Sequence, residues 1–158
     1  MSYYNFIAPS YNELYGEEQA KKLNIIKKCL KINKATKILD VGCGTGASSN
    51  FDCIVVGIDP SIELLKQNNN GSRIAGIAEM LPFKDNTFDY VISVTAMHNF
   101  KDIKNSIAEI IRVGKQNFVV TILKKSNKFG LIRQLIEKNF KIYNKIVESR
   151  DVIYLCRK

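Results

Sequence analysis

Histidine is nearly absent from this sequence, tryptophan is absent and proline is scarce: one His, no Trp and three Pro in 158 residues. One His and four cysteines without a C-x-x-C pair leave no ligand set for a structural zinc site, so no metal is expected. Cys29, Cys43, Cys53 and Cys156 do not read as a disulfide framework in a chain of this length without a secretory leader. Buried free thiols are expected. The opening residues, MSYYNFIAPSYNELYGEE, have neither the charged start nor the apolar core of such a leader. No run approaches the about 18 apolar residues of a membrane span. A soluble, cytoplasmic protein without a membrane partner is therefore expected. Acidic residues are also few against basic ones, 15 against 24, for a net charge of +9. That excess points to a polyanionic partner such as RNA. It is carried mostly by lysine, whereas arginine is better suited to planar phosphate recognition.

What is present is an alternation of strand and helix signals. No linker, repeat or low-complexity block divides the chain, so a single domain over 1–158 is expected, with a helical N-terminal segment 1–36 and a core over 37–158. Leu23, Ile26 and Leu30, preceded by Ala20, place a helix over Glu17–Lys31, with Glu17 and Glu18 in its first turn. The runs KILDVG, CIVVGID, RIAGIA, FDYVISV and NFVVTIL read as buried parallel strands. PSIELLKQ, DIKNSIAEIIRV and KFGLIRQLIEKN read as helices, with Ser61 and Asp102 at the starts of the first two. FKIYNKIVES and DVIYLCRK form two strands joined by a tight turn at Ser149–Arg150, and such a turn joins only antiparallel neighbours. Together these predict an α/β, doubly wound sheet, mostly parallel with one antiparallel strand. Ligands of such sheets sit at the C-terminal strand ends, where the strand order reverses.

The segment at that place is KILDVGCGTGASSNFDCIVVGIDPS, residues 37–61. Gly42, Gly44 and Gly46 permit positive φ and close backbone approach to a ligand. Asp59 ends the next strand, where a carboxylate grips the two hydroxyls of a ribose. Gly42-x-Gly44-x-x-Ala47 fits the dinucleotide pattern only loosely, because Gly42 and Asp59 are closer than the roughly 20 residues it needs. Asp40, just before the glycines, would repel a pyrophosphate. It suits a ligand with an ammonium and a sulfonium, S-adenosyl-L-methionine.

ILDVGCGTG, GIDPS and AEMLPFKDNTFDYVIS together resemble the class I S-adenosylmethionine-dependent methyltransferases. The resemblance is greatest to the group that includes the ubiquinone- and menaquinone-pathway enzymes. It implies a Rossmann-like seven-stranded sheet in the order 3-2-1-4-5-7-6 with strand 7 antiparallel. It also implies roles for individual residues. Asp40 faces the cofactor's amino group, and Gly42, Cys43, Gly44 and Gly46 line its methionine part. Asp59 binds the ribose, with Pro60 and Ser61 beside the adenine. Ala78 offers its N–H to the adenine ring, Tyr11 closes over the carboxylate, and Val94 and Thr95 lie beneath the methyl group.

Two departures stand out. Ile77 occupies the place of the acid that usually accepts a bond from the adenine amino group, and Glu79 is a candidate substitute. The stretch from Gly46 to Asp59 is short, which predicts a first crossover helix of only one or two turns. A sheet face near strands 1 and 2 would then need cover from Phe51, Cys53, the first helix or a protein partner.

Methyl transfer needs positioning above all, and a base only for acceptors that hold their proton tightly. His98, in TAMHNF just past the fourth strand, is the candidate base or acceptor contact. Asn99 and Asp102 are further polar candidates. No Asn/Asp-Pro-Pro-Tyr/Phe signature follows that strand, which disfavours amide or exocyclic base nitrogens as acceptors. A small-molecule acceptor is slightly favoured over RNA or protein. The alternatives are a non-catalytic module of the same fold that binds the cofactor or regulates, and, more remotely, an NAD-binding oxidoreductase.

Overall fold

The runs KILDV, IVVGID and FDYVISV form three adjacent parallel strands: β1 (Lys37–Val41), β2 (Ile54–Asp59) and β4 (Phe88–Val94). In this computed structural model the backbone of residues 11–158 and the side chains of residues 16–158 are described. The other strands are β3 (Ser72–Ala75), β5 (Gly114–Leu123), β6 (Lys141–Val147) and β7 (Asp151–Arg157). The sheet order is β3-β2-β1-β4-β5-β7-β6, and β7 runs antiparallel to both neighbours, as expected. Glu148 N–H donates to the Asp151 carbonyl and closes the final hairpin.

The helices are α1 (Tyr11–Cys29), α2 (Ile62–Gln67), α3 (Ile103–Val113) and α4 (Phe129–Asn139). Ser61 caps α2 by accepting the Leu64 N–H at 3.3 Å, and Asp102 caps α3 by accepting the Asn105 N–H at 3.0 Å. Helix α1 begins six residues before the expected start at Glu17, because Gly16 is carried inside it at a cost of about 1 kcal/mol. Glu17 and Glu18 therefore lie in its second turn. Its buried face is Gln19, Lys22, Leu23 and Ile26, continued by Leu30 just past its end, and Ala20 points to solvent instead. Two polar residues on the inward face are what hid the true face from a search for apolar spacing.

Two cores sandwich the sheet. On one face α3 and α4 bury Ile103, Ile107, Ile110, Ile132 and Ile136 against Val91, Phe118, Val120 and Tyr154. On the other, α1 packs Leu23, Ile26 and Leu30 near Ile38, Val55, Ile92 and Ile153.

The crossover between β1 and β2, residues 42–53, does not contain the one- or two-turn helix expected of it. No helix forms between Val41 and Ile54; two successive turns replace it, closed by Gly46 N–H to the Cys43 carbonyl and Ser49 N–H to the Gly46 carbonyl. Phe51, 7% exposed, fills the space a helix would occupy, with the Lys27 ammonium 5.8 Å from its ring centre. Of the alternatives expected to cover this face, Phe51 and α1 are found packed on it. The cysteines are free, with Cys43 and Cys156 buried and Cys29 and Cys53 half-buried. Among the described residues no helix is long and apolar enough to cross a membrane.

Candidate functional site

A cavity of about 500 Å³ opens at the C-terminal ends of β1, β2 and β4. That volume lies in the range of small-ligand pockets. One wall is the glycine turn, with Gly42 at φ 78° and Gly44 at φ 51° exposing backbone to the cavity. The second is the end of β2 and the start of α2, Asp59 to Ser61 with Leu64. A third is Gly76 to Glu79, after β3, and a fourth is Val94 to Ala96 with Asn99, Phe100 and Lys101. So Gly42, Gly44, Asp59, Pro60, Ile77, Ala78, Glu79, Val94 and Thr95 come together around one space.

Asp59 is 8% exposed. Its Oδ2 accepts the Gly44 N–H at 2.9 Å and its Oδ1 accepts the Ser61 N–H at 2.8 Å. The carboxylate is thereby tied to the glycine turn and to the start of α2. Burial pushes its pKa up, and the two N–H groups work against that shift.

Asp40 is fully buried and does not line the cavity. Its Oδ2 accepts bonds from Ser49 Oγ at 2.5 Å and Ser48 Oγ at 2.9 Å, so the polar crossover serves to solvate it. Its Oδ1 has no hydrogen-bond partner. Burial raises its carboxyl to about 6; the two serine hydroxyls lower it and the charge of Asp59 adds to the rise.

Cys43 and Gly46 stand behind the turn. The Cys43 Sγ is where a Cβ on Gly57 would reach, 2.6 Å away, and Asn68 Nδ2 donates to it at 3.7 Å. Burial pushes that thiol far up, reinforced by Asp40 and Asp59. A Cβ on Gly46 would collide with the Asn68 side chain, and Asn70 Nδ2 holds the Gly46 carbonyl at 2.7 Å. Both residues shape the turn rather than face the ligand space.

Glu79 borders the cavity, but its Oε1 accepts the N–H groups of Lys101 (2.7 Å) and Asp102 (3.1 Å) at the start of α3. Ile77 is 42% exposed on the adjacent wall. That wall is fastened from outside: Arg112 donates to the carbonyls of Leu81 (2.9 Å) and Phe83 (2.7 Å), and Glu109 accepts the Leu81 N–H at 2.8 Å.

His98 lies half-buried on a 3-10 turn, Met97–Asn99, and is not among the residues lining the cavity. Its carbonyl accepts from Lys128 Nζ at 2.9 Å. Burial, then the charge of Lys128, lower its pKa, so the imidazole is neutral at neutral pH. The side chain of Tyr11 lies outside the described residues, although its backbone begins α1. Phe100 and Lys101, at the end of the loop that follows β4, also enter the cavity wall.

The residues fit S-adenosylmethionine on three points of geometry. Gly42 and Gly44 form a cradle in left-handed backbone, Asp59 offers a held carboxylate, and Asp40 has an unused buried oxygen beneath the turn. A pyrophosphate would meet two buried acids and no helix N-terminus after the glycines.

A parallel sheet reversed by one antiparallel hairpin, with a nucleoside-sized cavity between a glycine turn and a ribose-type acid, defines the S-adenosylmethionine-dependent class of Rossmann-like proteins. A family profile for the methyltransferase domain matches residues 39–121, just over half the chain, and the chain belongs to that family. S-adenosyl-L-methionine is the cofactor that membership implies. An uncharacterized protein of Methanocaldococcus jannaschii is 31% identical over 155 residues, spanning 94% of this chain and 61% of its own length. A demethylmenaquinone methyltransferase of Corynebacterium kroppenstedtii is 35% identical over 102 residues, 61% of this chain and 44% of its own. The chain thus spans about three fifths or less of the length of these curated relatives. Among solved structures, the partner of the Trm112 methyltransferase activator in a Haloferax volcanii complex aligns over 99% of this chain and 98% of its own. The TM-score is 0.83 at 12% identity, a likeness of fold.

Proposed function

We propose that this chain binds S-adenosylmethionine in the 500 Å³ cavity and transfers its methyl group to an acceptor that enters over the Thr95–Lys101 loop. The observation that carries this reading is Asp59, held by Gly44 N–H and Ser61 N–H with its carboxylate bordering the cavity. When bound, the cofactor supplies a methyl group activated by its sulfonium for in-line displacement. The chain's own residues bind and orient. Asp59 takes the ribose hydroxyls, the backbone at Gly42 and Gly44 receives the amino-acid part, and Asp40 places negative charge near its ammonium. Ile77 and Ala78 flank the base, with the Ala78 N–H as its polar contact. Val94, Ala96 and Phe100 make the reacting end apolar, which excludes water and strengthens electrostatic contacts there.

His98 is the proposed proton acceptor for acceptors that do not release their proton freely, because its lowered pKa leaves it neutral and able to take one. A small-molecule acceptor is favoured. The demethylmenaquinone relative is named for one, and the apolar reacting end suits one. RNA is second, on the net charge of +9. A protein partner is a further proposal, supported by the fold likeness to the Trm112-associated chain. A non-catalytic role draws support from one observation: Ile77 stands where an acid would accept the adenine amino group, and Glu79 Oε1 is already bonded to the N–H groups of Lys101 and Asp102. Isothermal titration with S-adenosylhomocysteine, S-adenosylmethionine and NAD tests the cofactor. Transfer of radiolabelled methyl to a cell-extract fraction then separates enzyme from binding module.

A further inference from the structure

Thr95 leaves β4 at φ 52°, one of two non-glycine residues with positive φ among those described. The other, Asn86, is of a type that tolerates this region; a β-branched residue does not. Such a conformation persists only where its surroundings over-determine it, and it clusters at functional positions. The surroundings here come from three distant segments. The Thr95 N–H donates to Thr121 Oγ1 at 2.6 Å. The Thr95 hydroxyl donates to Asp151 Oδ1 at 3.2 Å and accepts from Lys22 Nζ at 2.8 Å. Lys22 Nζ also reaches Asp151 Oδ2 at 2.8 Å. Lys22 is 4% exposed and Asp151 1%. A buried ion pair is weak evidence for stability, because desolvation of both charges opposes it. This pair joins α1 to the start of β7, and both partners meet on the hydroxyl of a residue that borders the cavity. The next residue, Ala96, lies against Gly42, where an added Cβ would approach its own Cβ to 2.5 Å.

We propose that Lys22 and Asp151 are positioning residues. Through the Thr95 hydroxyl they hold the left-handed bend that sets Ala96 against the glycine turn, and so fix the width of the cofactor slot. This rests on the cavity being the S-adenosylmethionine site. Two substitutions at Thr95 separate the bend from the bulk of the side chain. Thr95→Val keeps size and branching but loses the hydroxyl, and it leaves the Lys22–Asp151 pair in place. Thr95→Gly loses the side chain but adopts the bend without steric cost.

S-adenosylhomocysteine titration is expected to show Thr95→Val binding about fivefold or more weaker than Thr95→Gly, since strain of this kind is of the order that such a factor reflects. Lys22→Met is expected to weaken binding, and Lys22→Met/Thr95→Gly to recover most of it. Amide exchange of residues 96–100, read without ligand, is expected to be faster in Thr95→Val than in Thr95→Gly. The proposal is overturned if Thr95→Gly binds no better than Thr95→Val, or if the exchange order is equal or reversed. Unchanged affinity in a Lys22→Met protein of lower melting temperature also overturns it, since the pair would then be structural only. Should Lys22→Met not fold, the two Thr95 variants decide. Should the wild type not bind S-adenosylhomocysteine, the cofactor reading fails, while the exchange order still tests whether the hydroxyl holds the bend.

Discussion

Gly42 and Ala96 face each other so closely that a Cβ on residue 42 would sit 2.5 Å from the Ala96 Cβ. Gly42 also has φ 78°, where any other residue is strained by about 1–2 kcal/mol. Gly42→Ala therefore meets two separate penalties. Its melting temperature is expected to fall by several degrees, and its S-adenosylhomocysteine affinity to fall at least tenfold. Adding Ala96→Gly removes the collision and leaves the strain, so partial recovery of the melting temperature is expected in scanning calorimetry. No recovery would place the cost elsewhere.

Asp59 is bonded through both oxygens to backbone N–H groups, which orient it toward the ligand space. Asp59→Ala is expected to bind S-adenosylhomocysteine at least tenfold more weakly. Adenosine and 2′,3′-dideoxyadenosine report the cause. Wild type should prefer adenosine, and the variant should bind both equally weakly. A variant that retained the preference would show that another group reads the ribose.

Asp40 makes a prediction about pH. Burial raises its carboxyl from 3.8 to about 6. The folded state then binds the extra proton between those values, so the stabilising contribution is full below the lower one and is lost as pH rises through the upper. The loss is roughly 3 kcal/mol at most. Asp40→Asn keeps an oxygen for Ser48 and Ser49 and removes the charge. In urea melts it is expected to be more stable than wild type at neutral pH, and the gap should narrow as pH falls from about 6 toward 3.8. Its affinity for S-adenosylmethionine is expected to drop, because the ammonium loses its counter-charge. A pH-independent gap would contradict the assignment.

Ile77 offers a gain of function. It stands 42% exposed on the cavity wall, in a position that tolerates a polar side chain. Ile77→Asp would supply an acceptor for the adenine amino group, worth about 0.5–1.5 kcal/mol, or up to about tenfold in affinity. Calorimetry with S-adenosylhomocysteine checks it. Weaker binding in the variant would mean that the base does not lie along this wall.

The strand runs, the final hairpin and the caps at Ser61 and Asp102 were readable in the sequence because each depends on residues close together in the chain. The glycine turn and Asp59 were readable because their spacing is itself the signal. The start of α1 was not, since Gly16 looks like a boundary and Lys22 breaks the apolar stripe. Lys22 finds its partner 129 positions away, and no local pattern announces such a pair. Arg112, which pins the wall carrying Ile77 and Ala78, is hidden for the same reason. Glu79 borders the cavity, as its position in the sequence suggested, while the bonds of its Oε1 to the Lys101 and Asp102 N–H groups had no local signal. The short polar crossover was recognised as short, but its second use was not: Ser48 and Ser49 solvate the buried Asp40.

The measurement closest to the central claim is a calorimetric titration of the purified chain with S-adenosylhomocysteine and, separately, with NAD, repeated on Asp59→Ala. One-to-one binding of S-adenosylhomocysteine in the micromolar range is expected, at least tenfold weaker in Asp59→Ala, with no heat from NAD. Binding of NAD alone, or no binding of the adenosyl ligand up to about millimolar, which is about 4 kcal/mol of affinity, would contradict it.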